Sequence, residues 1–321
     1  NPIDIVENIR RKMKNEKMKS MKPWYHDHVG EVTKKDTKYL SYGKFERKDD
    51  CTVYVSELPV GVWTQTFKEK LMKHMEKKDT ILKNINEYST ERIVGFELEF
   101  TSKKYLDDLL AMEDVDKQLD LQSTIKNLLY GFGSDGRIKN FKNANEIIDE
   151  FYGVRFTLYT KRRLYLLIKY GRTIRILENK LRYLREVIDG KLVVFRKSKA
   201  FREQQLVDQS FDMFDMQADL TKENYDANGS YNYLTSMSID SFGLETIERL
   251  EKELEKFKSF YTATEKLDEM MMWNRDLDAF MERYEVFRQE QIQVVETERL
   301  GRMEVTKKKR KRSTKKNKTK K

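Results

Sequence analysis

The chain has 321 residues, of which 64 are Lys or Arg and 54 are Asp or Glu, and its formal net charge is +10. With 13 Gly, 3 Pro and 38% hydrophobic residues, it is neither collagen-like nor a wholly disordered chain. Residues 306–321 contain 11 basic residues and no acidic one, which leaves 53 basic and 54 acidic residues before them. We therefore expect a nearly neutral folded body followed by a basic tail.

Membrane-spanning proteins and proteins stabilised by intrachain disulfides are also excluded. No stretch reaches the roughly 20 apolar residues that a membrane-spanning helix needs, and no apolar segment near the start is typical of a signal peptide. We therefore expect an intracellular protein with no membrane partner. Cys51 is the only cysteine, which rules out an intrachain disulfide and a multi-cysteine zinc site. Because the chain begins with Asn1 rather than Met, we expect it to be the downstream part of a longer polypeptide.

The first 142 residues alternate between helical and strand-like patterns. Asn1 and Pro2 are typical of an N-cap and a first helical turn. A second helix is predicted to run to about Met75, with Thr64 as its N-cap and Trp63 packed beneath it. Strands are predicted over residues 52–58, 92–100, 119–125 and 128–132. These patterns predict an α+β region that closes at the Gly-rich turn after the last strand.

A long helix is predicted next, because no Pro and only two Gly occur between Asn143 and Asp189. Its basic, aromatic stretch at residues 159–165 is interpreted mostly as a solvated face. Apolar residues then repeat at alternating spacings of three and four, as in a coiled coil. They are Leu167, Tyr170, Ile174, Leu177, Leu181, Leu184 and Ile188.

A second heptad set occupies residues 247–261. The intervening residues 189–230 contain too many apolar positions for a loop and predict a small globular knob, with a short strand at residues 192–195. The expected architecture is thus a mixed α+β platform followed by a long antiparallel coiled-coil arm with a small helical knob.

Short segments spread along the chain resemble one family. The longest, residues 56–69, reads SELPVGVWTQTFKE. Six others occur in the same order as in that family: DIVENIRR from Asp4, MKPWY from Met21, LQST from Leu121, IDGKL from Ile188, YNYLTSM from Tyr231 and MWNRDLDAF from Met272. Together they resemble the eukaryotic type of type IIA DNA topoisomerase over residues 1 to about 287.

This resemblance implies the C-terminal part of the DNA cleavage core, with a tower, a coiled coil and a C-gate, plus a basic tail. The implied boundaries are a tower at 1–142, an outgoing helix at 143–188, a C-gate dimerisation knob at 189–242, returning helices at 243–300 and a disordered tail at 301–321. The region is expected to support cleaved double-stranded DNA and to form the exit gate of a homodimer through the knob and residues 231–237. The alternative is that the apolar residues of 231–237 only cover the core of the knob itself.

The resemblance further implies that the complete protein is an ATP-dependent isomerase that passes one duplex through a transient double-strand break in another, with ATP and Mg²⁺ as cofactors. The sequence contains neither the ATPase glycines, nor the acidic Toprim motif, nor the catalytic surroundings of the nucleophilic tyrosine. The Arg-Tyr pairs at Arg182 and Arg283 are interpreted as helix residues. We therefore assign no catalytic residue, metal site, cofactor site or small-molecule substrate to this chain.

The resemblance places DNA contact at residues 120–129, which look like the family's KLQT segment. Polar side chains there are expected to hydrogen-bond phosphate or sugar oxygens. Asp120 replaces the family's lysine, so a phosphate contact at that position is not expected. An ordinary amphipathic strand is the alternative. The candidate residues are Asp120, Leu121, Gln122, Ser123, Thr124, Ile125, Lys126, Asn127, Leu128 and Leu129.

The basic cluster at residues 307–312 resembles a nuclear-localisation signal, and a polycation also binds nucleic acid through counterion release. We predict a nuclear protein and favour import over DNA binding as the role of the tail. A non-catalytic nuclear coiled-coil dimer that binds DNA or a partner protein remains the alternative function. His26 and His28 lack a recognisable third ligand and are interpreted as surface residues rather than metal ligands.

Overall fold

The computed structural model describes residues 1–36, 38–76 and 80–318. Two compact units make up the fold. Unit 1 consists of Asn1–Glu150 and Leu277–Lys321, and unit 2 consists of Phe151–Asp276. Among the helices that these residues form, none is both long enough and apolar enough to cross a membrane.

Helices dominate the second half of the chain, and most strands lie in the first half. The helices are α1 (Pro2–Met13), α2 (Thr64–Met75), α3 (Lys103–Leu110), α4 (Val115–Gln118), α5 (Ala144–Ile188), α6 (Lys199–Asp208), α7 (Asn232–Thr235), α8 (Leu244–Lys266) and α9 (Glu269–Lys318). The helix predicted to start behind Asn1 is confirmed, since the Asn1 side chain accepts a hydrogen bond from the Ile3 amide at 3.0 Å.

All strand pairs in unit 1 are antiparallel. The strands are β1 (Val32–Lys35), β2 (Lys38–Tyr42), β3 (Lys44–Arg47), β4 (Thr52–Glu57), β5 (Leu82–Glu87), β6 (Phe96–Phe100), β7 (Gln122–Ile125), β8 (Tyr130–Phe132) and β9 (Ile138–Asn140). They form a three-stranded sheet in the order β1-β2-β7, a four-stranded sheet in the order β3-β4-β6-β5, and a β8–β9 ribbon. The edge strand β7 pairs with β2, with Tyr42 opposite Gln122.

The core of unit 1 lies beside the four-stranded sheet. Alternate residues of β4 and β6 are fully buried, and Phe96 meets Phe67 of α2 edge-to-face at 5.2 Å between ring centroids. Leu106 of α3 and Leu121, just before β7, belong to the same cluster. Period-two burial on the strands and helices packed against them confirm the mixed α+β class.

The start of α2 differs from the prediction. Its N-cap is Trp63, not Thr64, and no side chain caps the first turn. The chain turns at Gly61, whose φ is +83°, and Trp63 then adopts an extended conformation, so that Thr64 is already helical. The Trp63 side chain is not packed beneath the helix, because 79% of it is exposed.

In unit 2, α5 and α8 pack against each other in opposite directions. Tyr170, early in this part of α5, contacts Phe257 and Phe260 late in α8, whereas Arg185 near the end of α5 pairs with Glu251 at 2.5 Å. Part of each predicted heptad set belongs to one apolar cluster with the segment between the helices, namely Leu177, Leu181 and Leu184 of α5 and Ile247, Leu250, Leu254 and Phe257 of α8. Ile188, the last predicted heptad residue of α5, is instead 56% exposed.

The strand predicted at residues 192–195 is absent, and this segment forms turns. The side chain of Gln205 on α6 makes the backbone hydrogen bonds that a neighbouring strand would otherwise make. It accepts from the Val193 amide at 3.1 Å and donates to the Val193 carbonyl at 3.0 Å. Leu192 is nevertheless buried in the apolar cluster, which explains the apolar pattern that suggested a strand.

Helix α9 covers most of the segment that was predicted as a disordered tail. It continues to Lys318, and residues 319–321 lie outside the described residues. No proline follows Gly301, and Lys and Arg are good helix formers, so nothing in the local sequence ends the helix there.

Candidate nucleic-acid interface

In the first half of the predicted DNA segment, the side chains contact other residues of the protein. Asp120 has a left-handed backbone with φ +55° and accepts a hydrogen bond from Lys70 at 3.3 Å, with His74 also 3.3 Å away. Leu121 is fully buried in the core of unit 1. The Asp120 carboxylate is thus paired with Lys70 and lies beside His74, and the Leu121 side chain is covered by the core.

The next two residues fasten β7 to its surroundings. The Gln122 side chain donates to the Tyr42 hydroxyl at 3.3 Å, and the Ser123 hydroxyl donates to the Val60 carbonyl at 2.8 Å. Ser123 thereby ties β7 to the turn before α2. These contacts give both residues a structural role.

The second half of the segment faces a cleft. Thr124, Lys126, Asn127 and Leu128 are exposed, and residues 125–129 line a cavity of about 890 Å³. The cavity is strongly basic, with one acidic residue, Asp36, among its lining residues. Its lysines are Lys17, Lys22, Lys34, Lys126 and Lys142.

None of these five lysines forms an ion pair or a side-chain hydrogen bond within the described residues. Five ammonium groups around one cavity repel each other and attract a polyanion. We name this cavity the basic cleft. The lysines come from four separate stretches of the chain, so only Lys126 could be associated with the site from a contiguous motif.

Two side chains hold the walls of the basic cleft. Asn8 of α1 is buried and exchanges two hydrogen bonds with the backbone of Lys19, at 3.0 and 2.8 Å. This contact fixes the extended segment that carries Lys17 and Lys22. On another wall, Glu146 accepts from the Lys142 amide at 2.8 Å while its own amide donates to the Asn143 side chain at 3.0 Å. This exchange resembles a capping box and sets the direction of the chain at Lys142.

The β8–β9 ribbon is anchored to the start of α5 by Glu150. This carboxylate accepts hydrogen bonds from the Lys139 ammonium at 2.8 Å and from the Ser134 amide and hydroxyl at 3.0 and 2.8 Å. The bonds from Lys139 and Ser134 lower the pKa of Glu150 from 4.5 to about 2. The ribbon is therefore attached at its turn as well as at its base.

Several arginines of unit 2 make contacts within the fold. Arg162 donates to Asp276 at 2.6 Å, and the buried Tyr159 donates to the same carboxylate at 2.7 Å. Arg163 donates to the carbonyls of Leu267 and Glu265, at 2.7 and 3.0 Å, where α8 ends. Lys161 and Arg162 are exposed, as the prediction of a mostly solvated cationic face expects, and Arg163 is half-buried. Arg162 and Arg163 nevertheless make contacts at the junction between α8 and α9.

Arg172 forms a second such contact. Its guanidinium pairs with both oxygens of Asp226, the shortest distance being 2.7 Å, and donates to the Asp215 carbonyl at 2.6 Å. It also lies over the Phe214 ring at 5.2 Å. The loop around residues 212–230 is thereby attached to α5.

The two Arg-Tyr pairs serve packing. Tyr183 is buried, and this burial raises the pKa of its hydroxyl, which weakens it as a nucleophile. Arg182 beside it lies over the Phe211 ring at 3.7 Å. Tyr284 stacks between two aromatic side chains of α9, at 5.7 and 6.2 Å between ring centroids.

The histidine pair near the start of unit 1 makes local contacts. The His28 ring lies 3.4 Å from the Ser41 hydroxyl and 4.0 Å from Glu57, while His26 lies 2.9 Å from Asp27 and contacts the ring of Trp24. Within the described parts of the chain, no group of three or more His, Cys, Asp or Glu residues is placed to hold a metal ion.

Residues 1–278 match the A-subunit family of DNA gyrase/topoisomerase IV, and the chain belongs to this family. Its curated relatives include DNA topoisomerase 2 of Penicillium chrysogenum, which is 30% identical over 302 residues covering 88% of this chain and 19% of the relative. DNA topoisomerase 2 of Acanthamoeba polyphaga mimivirus is 28% identical over 346 residues, covering 89% of this chain and 27% of that protein.

A solved structure is also similar. The crystal structure of the Plasmodium falciparum topoisomerase II DNA-binding, cleavage and re-ligation domain matches with a TM-score of 0.76 at 25% identity, over 90% of this chain and 41% of that chain. The chain spans between 19% and 27% of the length of the two curated relatives.

Proposed function

We propose that the chain is part of an ATP-dependent type II DNA topoisomerase, which passes one DNA duplex through a transient double-strand break in another. The observation that carries this proposal is the family match over residues 1–278, together with relatives named DNA topoisomerase 2. Because the chain spans a minor part of those relatives, the activity belongs to the complete protein.

Unit 1 supports the cleaved duplex in this proposal. The basic cleft presents five lysines without internal partners to the phosphate backbone. Such contacts position a duplex without reading its sequence, which suits an enzyme that acts on DNA topology. We retain three residues of the predicted segment as DNA contacts: Thr124, Lys126 and Asn127. We add four lysines of the basic cleft: Lys17, Lys22, Lys34 and Lys142.

Unit 2 forms the arm and the dimeric exit gate, which correspond to the coiled coil and the C-gate. The antiparallel packing of α5 and α8 supports the arm. Tyr231, Tyr233 and Leu234 of the predicted contact are buried in the apolar cluster of unit 2 itself, so we move the proposed two-fold contact to large apolar side chains exposed on the segment between the helices. They are Val193, Phe195, Phe201, Val207, Met213 and Met216.

We further propose that the complete enzyme uses ATP and Mg²⁺ and acts in the nucleus. The residues that hold the nucleotide, the metal and the attacking tyrosine are assigned to parts of the polypeptide other than residues 1–321. The basic cluster at residues 307–312 supports import, with nonspecific attraction to DNA as its secondary effect.

The test compares the complete protein with the chain. The complete protein is expected to relax supercoiled DNA when ATP and Mg²⁺ are both supplied, and the 321-residue chain is expected to bind duplex DNA and to sediment as a dimer without relaxing it. Relaxation by the chain itself would show that the nucleophile lies within it. A complete protein that binds DNA and leaves supercoils unchanged would favour the non-catalytic nuclear dimer.

A further inference from the structure

One face of the β8–β9 ribbon is apolar and exposed. Tyr130 lies opposite Asn140, and Phe132 lies opposite Ile138, so these four residues share one face. Tyr130 is 62% exposed, and Phe132 and Ile138 are each 75% exposed. We call this surface the outer ribbon face.

The opposite face of the ribbon is packed and cannot exchange with the outer one. Phe141 is 5% exposed, and a Cβ atom at Gly131 would lie 3.4 Å from its ring. The Lys139 ammonium lies 5.3 Å from the centre of the same ring and pairs with Glu150. A one-residue shift in register would break these contacts, so the ribbon presents its apolar side chains to solvent in a fixed orientation.

The outer ribbon face is continuous with the basic cleft. The Phe141 amide donates to the Leu129 carbonyl at 2.8 Å, which extends the pairing of the two strands to the base of the ribbon. By alternation, Leu128 and Lys142 continue the outer face at this base, and both line the basic cleft. Leu128 is itself 69% exposed.

Charge favours DNA as the occupant of this surface. Lys126 and Lys142 flank the base of the ribbon without internal partners in the described structure, and lysine is depleted in interfaces between proteins. A two-stranded ribbon fits into the major groove of DNA, and apolar side chains such as Phe and Ile contact bases or wedge between base steps in groove-binding proteins.

We propose that the outer ribbon face enters a groove of the duplex and contacts its bases through Phe132 and Ile138, while the lysines of the basic cleft neutralise the adjacent phosphates. This inference rests on the proposed DNA binding of unit 1. It assigns to the ribbon a base contact that does not depend on charge.

The test measures binding of the 321-residue chain to a duplex of about 30 base pairs over a range of salt concentrations. Phe132→Ala with Ile138→Ala is expected to weaken binding about tenfold at every salt concentration, because apolar contact is lost and no phosphate contact changes. Lys126→Ala with Lys142→Ala is expected to lower the slope of log K against log salt by about 1.8, at about 0.9 per phosphate. The matched control is Leu158→Ala with Leu164→Ala, two exposed apolar residues of unit 2 outside the proposed dimer contact, which are expected to leave affinity unchanged.

The outcomes separate the two proposals. If the Phe132/Ile138 variant binds as the original chain does while the lysine variant is weakened, the ribbon contact is overturned and the DNA function of the cleft stands. If the original chain does not bind the duplex, both proposals fail. A change in sedimenting mass at unchanged DNA affinity would make the face a self-association surface and would also overturn the inference.

Folding is controlled by a second variant. Phe132→Leu with Ile138→Val keeps an apolar face and is expected to retain affinity within about twofold, with a thermal midpoint close to that of the original chain. If this conservative variant loses affinity at an unchanged thermal midpoint, the proposed apolar contact between the ribbon and the bases is contradicted.

Discussion

Both units contain cations that pair within the fold, as Arg47 does with Asp107 in unit 1, but the lysines of the basic cleft differ from the arginines that connect segments of unit 2. In unit 2, Arg162, Arg163 and Arg172 donate to carboxylates and carbonyls of the same unit, and each connects two segments of the chain. In unit 1, the five lysines of the basic cleft have no such partners in the described residues. The pairing of each cation therefore indicates a DNA surface better than the net charge does.

The Arg172 contact gives the largest expected effect on stability. Its side chain is 12% exposed, and that of Asp226 is 23% exposed. Arg172→Met leaves a carboxylate largely covered and unpaired, which is expected to lower the free energy of unfolding by about 3 kcal/mol. Urea denaturation measures this change.

Two variants control that prediction. Arg172→Met combined with Asp226→Leu removes both charges and is expected to recover much of the loss. Arg137→Ala removes an 89% exposed arginine of unit 1 and is expected to change stability by less than about 0.5 kcal/mol. Equal effects of Arg172→Met and Arg137→Ala would remove the distinction between a largely covered ion pair and an exposed one.

Lysines on the other walls of the basic cleft are expected to affect DNA binding and not folding. Lys22→Ala with Lys34→Ala removes two cations, which should weaken duplex binding roughly tenfold near 0.1 M salt and reduce the salt slope by about 1.8. The control, Lys191→Ala with Lys258→Ala, removes two lysines of unit 2 that pair with Asp189 and Glu178. If both double variants weaken binding equally, the attraction is general and the cleft has no special role.

The Tyr159 hydroxyl contributes a smaller effect. Tyr159→Phe deletes the hydrogen bond to Asp276 within a packed site and is expected to cost about 1 kcal/mol of unfolding free energy. Tyr105→Phe removes a hydroxyl from a side chain that is 54% exposed and should be neutral. DNA affinity should be unchanged in both, and a large loss of affinity in Tyr159→Phe would place this residue in the interface.

The Glu150 anchor predicts a local dependence on pH. The folded-state pKa of Glu150 is lowered from 4.5 to about 2, so its stabilisation of the ribbon is fully present above about pH 4.5 and is lost as pH falls through 2. The protection factor of the Ser134 amide, which corrects hydrogen exchange for its intrinsic pH dependence, should fall across this window. Glu150→Ala should show low protection already at neutral pH, and high protection in that variant would contradict the anchor.

Local signals predicted some elements well. The Asn1 side chain and Pro2 act within a single turn, so the start of α1 followed from neighbouring residues alone. The range of α5 could likewise be predicted from the sequence, because it depends on an uninterrupted helical pattern. The N-cap of α2 was misplaced because the turn at Gly61 sets where that helix begins.

The candidate site was harder to predict because it is assembled from distant segments. Asp120 is balanced by Lys70 and His74, fifty and forty-six residues earlier, and this neutralisation has no signature near Asp120 itself. The lysines of the cleft are likewise brought together by the buried Asn8 and by the start of α5. The sequence motif leads to one wall of the basic cleft, residues 125–129, but not to the lysines of its other walls.

The most direct test of the DNA-binding surface is a footprint of lysine reactivity on the 321-residue chain with and without duplex DNA. Limited acetylation followed by mass spectrometry reports each lysine separately. We expect DNA to protect Lys17, Lys22, Lys34, Lys126 and Lys142, and to leave Lys191 and Lys258 of unit 2 as reactive as before. Protection concentrated in unit 2, with the five cleft lysines unchanged, would contradict it.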